Sequence, residues 1–374
     1  MKVLWVGDMV AGKTPPEKPY DETLLRLFSG FDYRIVNFEA PVKTSASPAP
    51  KVGPVIAQSI GWERVVAPFN VASLANNHIM DYGTEGLKAT MDALEKTGIL
   101  TCGAGLDAQQ AYRPLILEKD EKKLALIAAG EAQFGCLVED DAPGYAWIFH
   151  PGTLENISRC KEEGCRVVVM PHAGLEMHAL PLPEWRRAYK SLIAAGADAV
   201  VASHPHIVQA REPVDGKPIY YSLGNFYFPM PQAHPDPGWY FSMGVVMIWD
   251  DDEPKFEHVF FRFDENGVRK ADGDSLFDAL CDELHAPDYP EKINRLCLKA
   301  WDDIYQRMYM FHPIAKRHNP FRILDRWFNA AVYLFKGNDW FDRVNEMRLY
   351  HNIRIETHRY VVERALALKN NLYR

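Results

Sequence analysis

Over the first 230 residues, apolar positions cluster in short β-branched runs bounded by glycine, proline, asparagine or charge. Between those runs they recur at helical spacing. The runs predict strands over 3–7, 34–38, 71–75, 115–118, 124–128, 167–170, 199–202 and 219–222. The helical repeats predict helices over 21–28, 84–96, 153–163 and 184–195, with Thr84 as an N-cap and Gly98 as a stop. Such alternation predicts sheets covered by helices. Two further strands, 243–249 and 256–263, flank the acidic run Asp250-Asp251-Asp252-Glu253 and predict a hairpin. After Gly273 the pattern turns helical, over 275–284, 291–310, 321–335 and 340–369. The expected organisation is therefore a domain over 1–265 and a helical extension over 266–374. The Pro- and Ser-rich segment 45–54 predicts a loop.

Polar residues gather where these strands end. Asp8 closes the first, Asn37 and Glu39 the second, and Asn76, Asn77 and His78 follow the third. His172 follows the run 167–170, His204 and His206 follow 199–202, and Ser222 and Asn225 lie at and just after 219–222. Ligands collect at the carboxyl ends of strands in α/β sheets. Carboxylate, imidazole and amide oxygen together suit one or two divalent ions of the Mn, Fe or Zn type. A carboxylate shared by two ions is the mark of two-metal hydrolytic centres, where a nearby imidazole can protonate a leaving group.

Composition narrows the alternatives. The chain has 374 residues, 47% hydrophobic and 25% charged, which fits a globular protein and excludes disorder or fibre as a whole-chain description. A net charge of -8 argues against a sequence-independent nucleic-acid binder. The six cysteines show no CxxC spacing and read as reduced core thiols. No apolar run approaches the roughly 18 residues a membrane span needs. The N-terminal apolar run breaks at Asp8, so the expectation is a cytoplasmic protein with no transmembrane segment.

Several segments together resemble the CapA (poly-γ-glutamate capsule synthesis) family of the calcineurin-like metallophosphoesterase superfamily. They are Gly7-Asp8, Val36-Asn37-Phe38-Glu39-Ala40-Pro41, Leu74-Ala75-Asn76-Asn77-His78 with Asp81-Tyr82-Gly83, Gly103-Ala104-Gly105 and Arg113-Pro114-Leu115. Further along come His172-Ala173-Gly174 with Glu176, Ala195-Gly196-Ala197-Asp198, His204-Pro205-His206 and Tyr221-Ser222-Leu223-Gly224-Asn225-Phe226. The resemblance runs over about residues 2–250 and implies an α+β fold, a four-layer α/β/β/α sandwich with a metal centre at the sheet edges. It implies one ion on Asp8, Glu39 and His206, and another on Glu39, Asn77, His172 and His204. It implies His78 as the acid beside the leaving group, with Asp81 and Asn76 in support. Asn37, Glu176, Ser222 and Asn225 are then expected at the substrate. The wider superfamily has a histidine two residues after the first aspartate, where this chain has Val10, and an acid directly after the catalytic histidine, where it has Ile79.

The implied activity is phosphoester hydrolysis by metal-activated water, on a small-molecule or polymer substrate with anionic groups, linked to capsule or poly-γ-glutamate biosynthesis. Hydrolysis or transfer of a γ-glutamyl amide on the same centre, and a non-catalytic scaffold for a polymer synthase, remain open at this point. Gly7-Asp8-Met9-Val10-Ala11-Gly12-Lys13-Thr14 spells a P-loop. The prolines at 15, 16 and 19 oppose the helix that such a loop needs after its lysine. Lys13 remains a candidate contact for an anion. Ser222 lacks the G-x-S-x-G elbow of a serine hydrolase.

Overall fold

The computed structural model describes residues 1–139, 141–230, 232–309 and 338–372. Two sheets face each other. The first has the order β17 (Gly267–Ala271), β16 (Lys255–Asp264), β15 (Phe241–Ile248), β1 (Lys2–Met9), β2 (Tyr33–Phe38), β3 (Val71–Ser73), β4 (Leu100–Cys102), with β14 (Asn225–Tyr227) also paired to β1. Strands β1 to β4 run parallel, and the β15–β16 hairpin is antiparallel across its acidic turn, as the pattern predicts. The second sheet has the order β12 (Arg211–Val214), β13 (Lys217–Tyr220), β11 (Ala199–Val201), β10 (Arg166–His172), β7 (Lys122–Gly130), β6 (Leu115–Lys119). Its four central strands are parallel. A small third sheet joins β5 (Ala104–Gly105), β8 (Cys136–Leu137) and β9 (Gly144–Ala146).

Buried faces explain the layering. Strand β1 is buried at every position after Lys2, and β10 at every position after Arg166. Strands enclosed on both faces read as continuous apolar runs rather than alternating ones. Helix α3 (Gly83–Lys96) packs by β4, α5 (Pro151–Glu162) by β7 and β10, and α6 (Pro183–Ala194) by β11 and β13. The fold is the α+β sandwich that the resemblance implies.

Several boundaries differ from expectation. The N-cap of α3 is Tyr82 rather than Thr84, which lies inside the first turn. Gly98 does close that helix, at φ +76°, where a glycine costs least. The first compact unit runs beyond the expected boundary at 265, to Tyr289. It does so because α7 (Asp274–His285) seats Phe277 against His258 and Phe260 of β16. The second unit contains α8 (Tyr289–Ala300) from Pro290 onward, a π-helical turn (Trp301–Tyr305) and α9 (Gln306–Tyr309). It continues with α10 (Asn338–Arg354) and α11 (Glu356–Lys369). The helix expected over 340–369 is two helices, because Ile355 is extended between them. The helix expected over 321–335 lies outside the described residues.

Candidate metal centre

The parallel strands of both sheets deliver their carboxyl ends to one place. Asp8 ends β1 and Glu39 follows β2. Asn76, Asn77 and His78 lie in the turn after β3. His172 ends β10, and His204 and His206 lie in the turn after β11. That last turn is held in an unusual backbone state, with His204 at φ +103° and His206 at φ +62°. Non-glycine residues are rare there, and such strain concentrates at functional sites. It is tied across the sandwich, since the His204 amide donates to Asp8 Oδ2 at 3.2 Å.

Three donor groups converge, two of them buried throughout and the third joining exposed Glu176 to His204 and His206. His172 Nε2 lies 3.1 Å from Asn77 Oδ1, 3.4 Å from Glu39 Oε1 and 3.1 Å from His204 Nδ1. Asp8 Oδ2 lies 3.5 Å from His206 Nδ1, and Glu39 Oε1 lies 3.9 Å from His206 Nε2. Ligands about 2.1 Å from an ion stand about 3.0 Å apart at octahedral angles and about 3.4 Å apart at tetrahedral ones. The first set has that spacing. Ligand-capable atoms of Glu39, His172 and His204, and of Asp8, Glu39 and His206, cluster closely enough for one ion each, with Glu39 common to both groups.

Glu39 makes the case for a cation most sharply. It is fully buried, and neither carboxylate oxygen has a hydrogen-bond partner. A buried carboxylate without donors is costly by several kcal/mol unless an opposite charge stands beside it. Burial would depress the His206 imidazole, but Glu39 and Asp8 outweigh it and lift its pKa to about 10. Burial would likewise raise the Asp8 carboxyl, but contacts with His206, His172 and Asn37 prevail and hold it below the usual range. Carboxylates therefore set the field of the pocket, which suits divalent ions.

Around this core, second contacts fix the rings. Asn225 Oδ1 lies 3.0 Å from His206 Nδ1, while its amide nitrogen donates to the Trp239 carbonyl. That carbonyl fixes the orientation of the Asn225 amide, so the amide oxygen faces the ring. Asn37 Nδ2 donates to Asp8 Oδ1 at 2.7 Å and lies 3.1 Å from His172 Nδ1. Asn76 Nδ2 donates to the Phe38 carbonyl, and its Oδ1 accepts from the His78 amide. Asp81 Oδ2 lies 2.8 Å from His78 Nδ1 and accepts the Ile56 amide at 2.8 Å. The aspartate three residues on thus meets the His78 ring, where the next residue in sequence is Ile79.

The residues expected at the substrate differ in depth. Ser222 is fully buried, and its hydroxyl accepts from the Gly224 amide. It serves the turn. Asn225, also fully buried, reaches His206 rather than open space, and Asn37 is buried against Asp8. Of the four residues expected at the substrate, Glu176 alone is exposed, with its side chain 57% accessible and 3.8 Å from His204 Nε2. No helix starts at Lys13, since α1 (Glu22–Ser29) begins after the Asp21 cap, so the P-loop spelling has no P-loop structure. The sequence reading missed Glu131 and Gln133. Glu131 stands one residue beyond β7, at the carboxyl end of a parallel strand, and that position was the available signal.

Comparison with known proteins matches the sequence to a family. The family described as bacterial capsule synthesis protein PGA_cap matches residues 2–230. The PGA biosynthesis protein CapA of Bacillus subtilis (strain 168) is 30% identical over 248 residues, covering 63% of this chain and 63% of that protein. The capsule biosynthesis protein CapA of Bacillus anthracis is 31% identical over 218 residues, covering 56% and 51%. A probable polyglutamine synthesis accessory protein of Mycobacterium tuberculosis (strain ATCC 25618 / H37Rv) is 29% identical over 168 residues, covering 42% and 44%. The chain thus spans only part of the curated relatives it matches. Among solved structures, the NAD nucleotidase of Haemophilus influenzae is 13% identical with a TM-score of 0.43, covering 75% of this chain and 61% of that one. A 5'-nucleotidase precursor from Thermus thermophilus is 10% identical with a TM-score of 0.42, covering 78% and 59%. Likeness at that level carries no chemistry across.

Proposed function

The chain belongs to the bacterial capsule synthesis protein family PGA_cap, and from that premise we propose that it is a metal-dependent hydrolase of phosphate esters. The observation that carries this reading is Glu39, buried between two donor sets with neither oxygen hydrogen-bonded and Oε1 facing His172 and His206. Asp8, Glu39 and His206 would hold one divalent ion, and Glu39, Asn77, His172 and His204 a second. Ions there would acidify water and neutralise charge developing on a phosphoryl group. The protein's own part is to position the donors and to supply the proton. His78 donates it to the leaving group, and Asp81 on Nδ1 holds the ring so that Nε2 faces away from that carboxylate. Glu176 at the rim meets the substrate.

The names of the relatives favour a second reading, hydrolysis or transfer of a γ-glutamyl amide at the same centre, within an assembly that makes such a polymer. A purely scaffolding role is disfavoured, because an inert scaffold gains nothing from a buried carboxylate without donors. The test is to load the purified chain with Mn, Fe or Zn and to assay a phosphomonoester, a phosphodiester and a γ-glutamyl peptide side by side. Turnover of an ester supports the first reading, and turnover of the peptide alone replaces it with the second. Bound metal with no turnover of any of the three refutes both.

A further inference from the structure

Glu131 belongs to the centre although no strand-end motif announces it. It is 1% exposed and fixed on all sides. Its amide donates to the His172 carbonyl, its carbonyl accepts from the Tyr145 hydroxyl, and its Oε1 accepts from the Gly174 amide. That same oxygen lies 3.4 Å from His204 Nε2. The opposite ring nitrogen, Nδ1, faces His172 Nε2 at 3.1 Å, on the side of Glu39 and Asn77. His204 thus has one nitrogen toward the donor set and the other toward a buried carboxylate.

Gln133 complicates this arrangement informatively. Its amide nitrogen lies 3.2 Å from His204 Nε2 and 3.3 Å from Glu131 Oε1. An amide N–H pointed at Nε2 favours a lone pair there and a proton on Nδ1. The Glu131 carboxylate favours the reverse, a proton on Nε2 and a lone pair on Nδ1. Only the second tautomer leaves Nδ1 able to bind a cation. The Gln133 amide also donates to Glu131 Oε1 at 3.3 Å, so its N–H is satisfied there while the ring N–H turns to the same carboxylate.

We propose that Glu131 is the positioning residue that holds His204 as the Nε2–H tautomer, so that Nδ1 is delivered to the ion shared with Glu39, Asn77 and His172. This rests on the metal-centre reading above. Carboxylates placed behind ligating histidines in this way fix the ring and its tautomer, and their loss typically weakens metal binding about 10- to 100-fold.

The experiment is a zinc titration of the metal-free full chain by calorimetry, in wild type, Glu131→Gln and Gln133→Ala. The result expected is an about 10- to 100-fold weaker association of one equivalent in Glu131→Gln, with Gln133→Ala equal to wild type or tighter. Superimposable isotherms for wild type and Glu131→Gln overturn the proposal while leaving the metal centre standing. A wild type that takes up no zinc overturns both. Should Glu131→Gln fail to fold, ¹⁵N NMR of metal-free wild type decides alone, with the His204 signals assigned through His204→Ala. A proton on Nε2 supports the proposal, and a proton on Nδ1 refutes it.

Discussion

At the scale of single residues, the centre is built from groups that are expensive to bury and are buried together. Glu39→Gln removes a buried charge that has no hydrogen bond while keeping the shape of the side chain. The metal-free variant should therefore be as stable as wild type or more stable, by about 1–3 kcal/mol, and should lose the stabilisation that wild type gains from added divalent ion. Denaturant melts with and without metal measure both. His78→Asn and Asp81→Asn should lower kcat by about 10²- to 10⁴-fold while bound metal stays at the wild-type level. Loss of metal in either would place them among the ligands instead. The positions of Asp8, Glu39, Asn77, His172, His204 and His206 were legible because each follows a strand whose apolar run is unmistakable. Depth was not legible. Ser222 and Asn225 follow the same rule, yet both are fully buried and turned to the turn and to a ring. Glu131 escaped notice because no second polar residue of a familiar motif stands beside it.

At the scale of elements, close backbone approach makes the site possible. Gly7 sits where β1 passes β14, and a Cβ there would lie 1.8 Å from the Gly224 carbonyl oxygen. That contact is with backbone, so nothing flexible can yield. Gly7→Ala should cost at least about 3 kcal/mol in a chemical denaturation experiment, and a loss under about 1 kcal/mol would show that the strands can part there. Lys13→Ala, by contrast, should leave stability and metal content unchanged and should abolish no ATPase, because α1 begins only at Glu22. The long strands and the four longest helices of the first 230 residues were readable because period and punctuation agree. Strands β5 and β8 have two residues each and no longer apolar run around them as β3 and β11 have, so pairing alone makes them strands. Ile355 breaks its helix without proline or glycine, so nothing local marked the break.

At the scale of the molecule, a second charged cluster, away from the centre, steadies the sandwich. Glu212 on β12 takes Arg186 at 2.7 Å and Lys190 at 2.8 Å, both from α6, and the Tyr221 hydroxyl at 2.6 Å. Burial opposes its ionisation, but these three partners outweigh it and hold its pKa at about 2, against an ordinary 4.5. A depressed carboxylate stabilises the fold fully above the unfolded value and progressively less as pH falls toward the folded one. Wild type should therefore lose stability between about pH 4.5 and 2, and Glu212→Gln should show a shallower slope across that window in denaturant midpoints. An unchanged slope would mean that the cluster does not act through Glu212.

The central claim concerns the whole molecule too, since strand ends from both sheets must close on one cation cluster. Elemental analysis of the full chain after exposure to Mn, Fe and Zn and removal of free ions tests it most directly, with Glu39→Gln and His204→Ala alongside. The account predicts one or two ions per wild-type chain and a clear loss in both variants. A wild type that retains no ion, or a Glu39→Gln chain that retains the full wild-type complement, would contradict it.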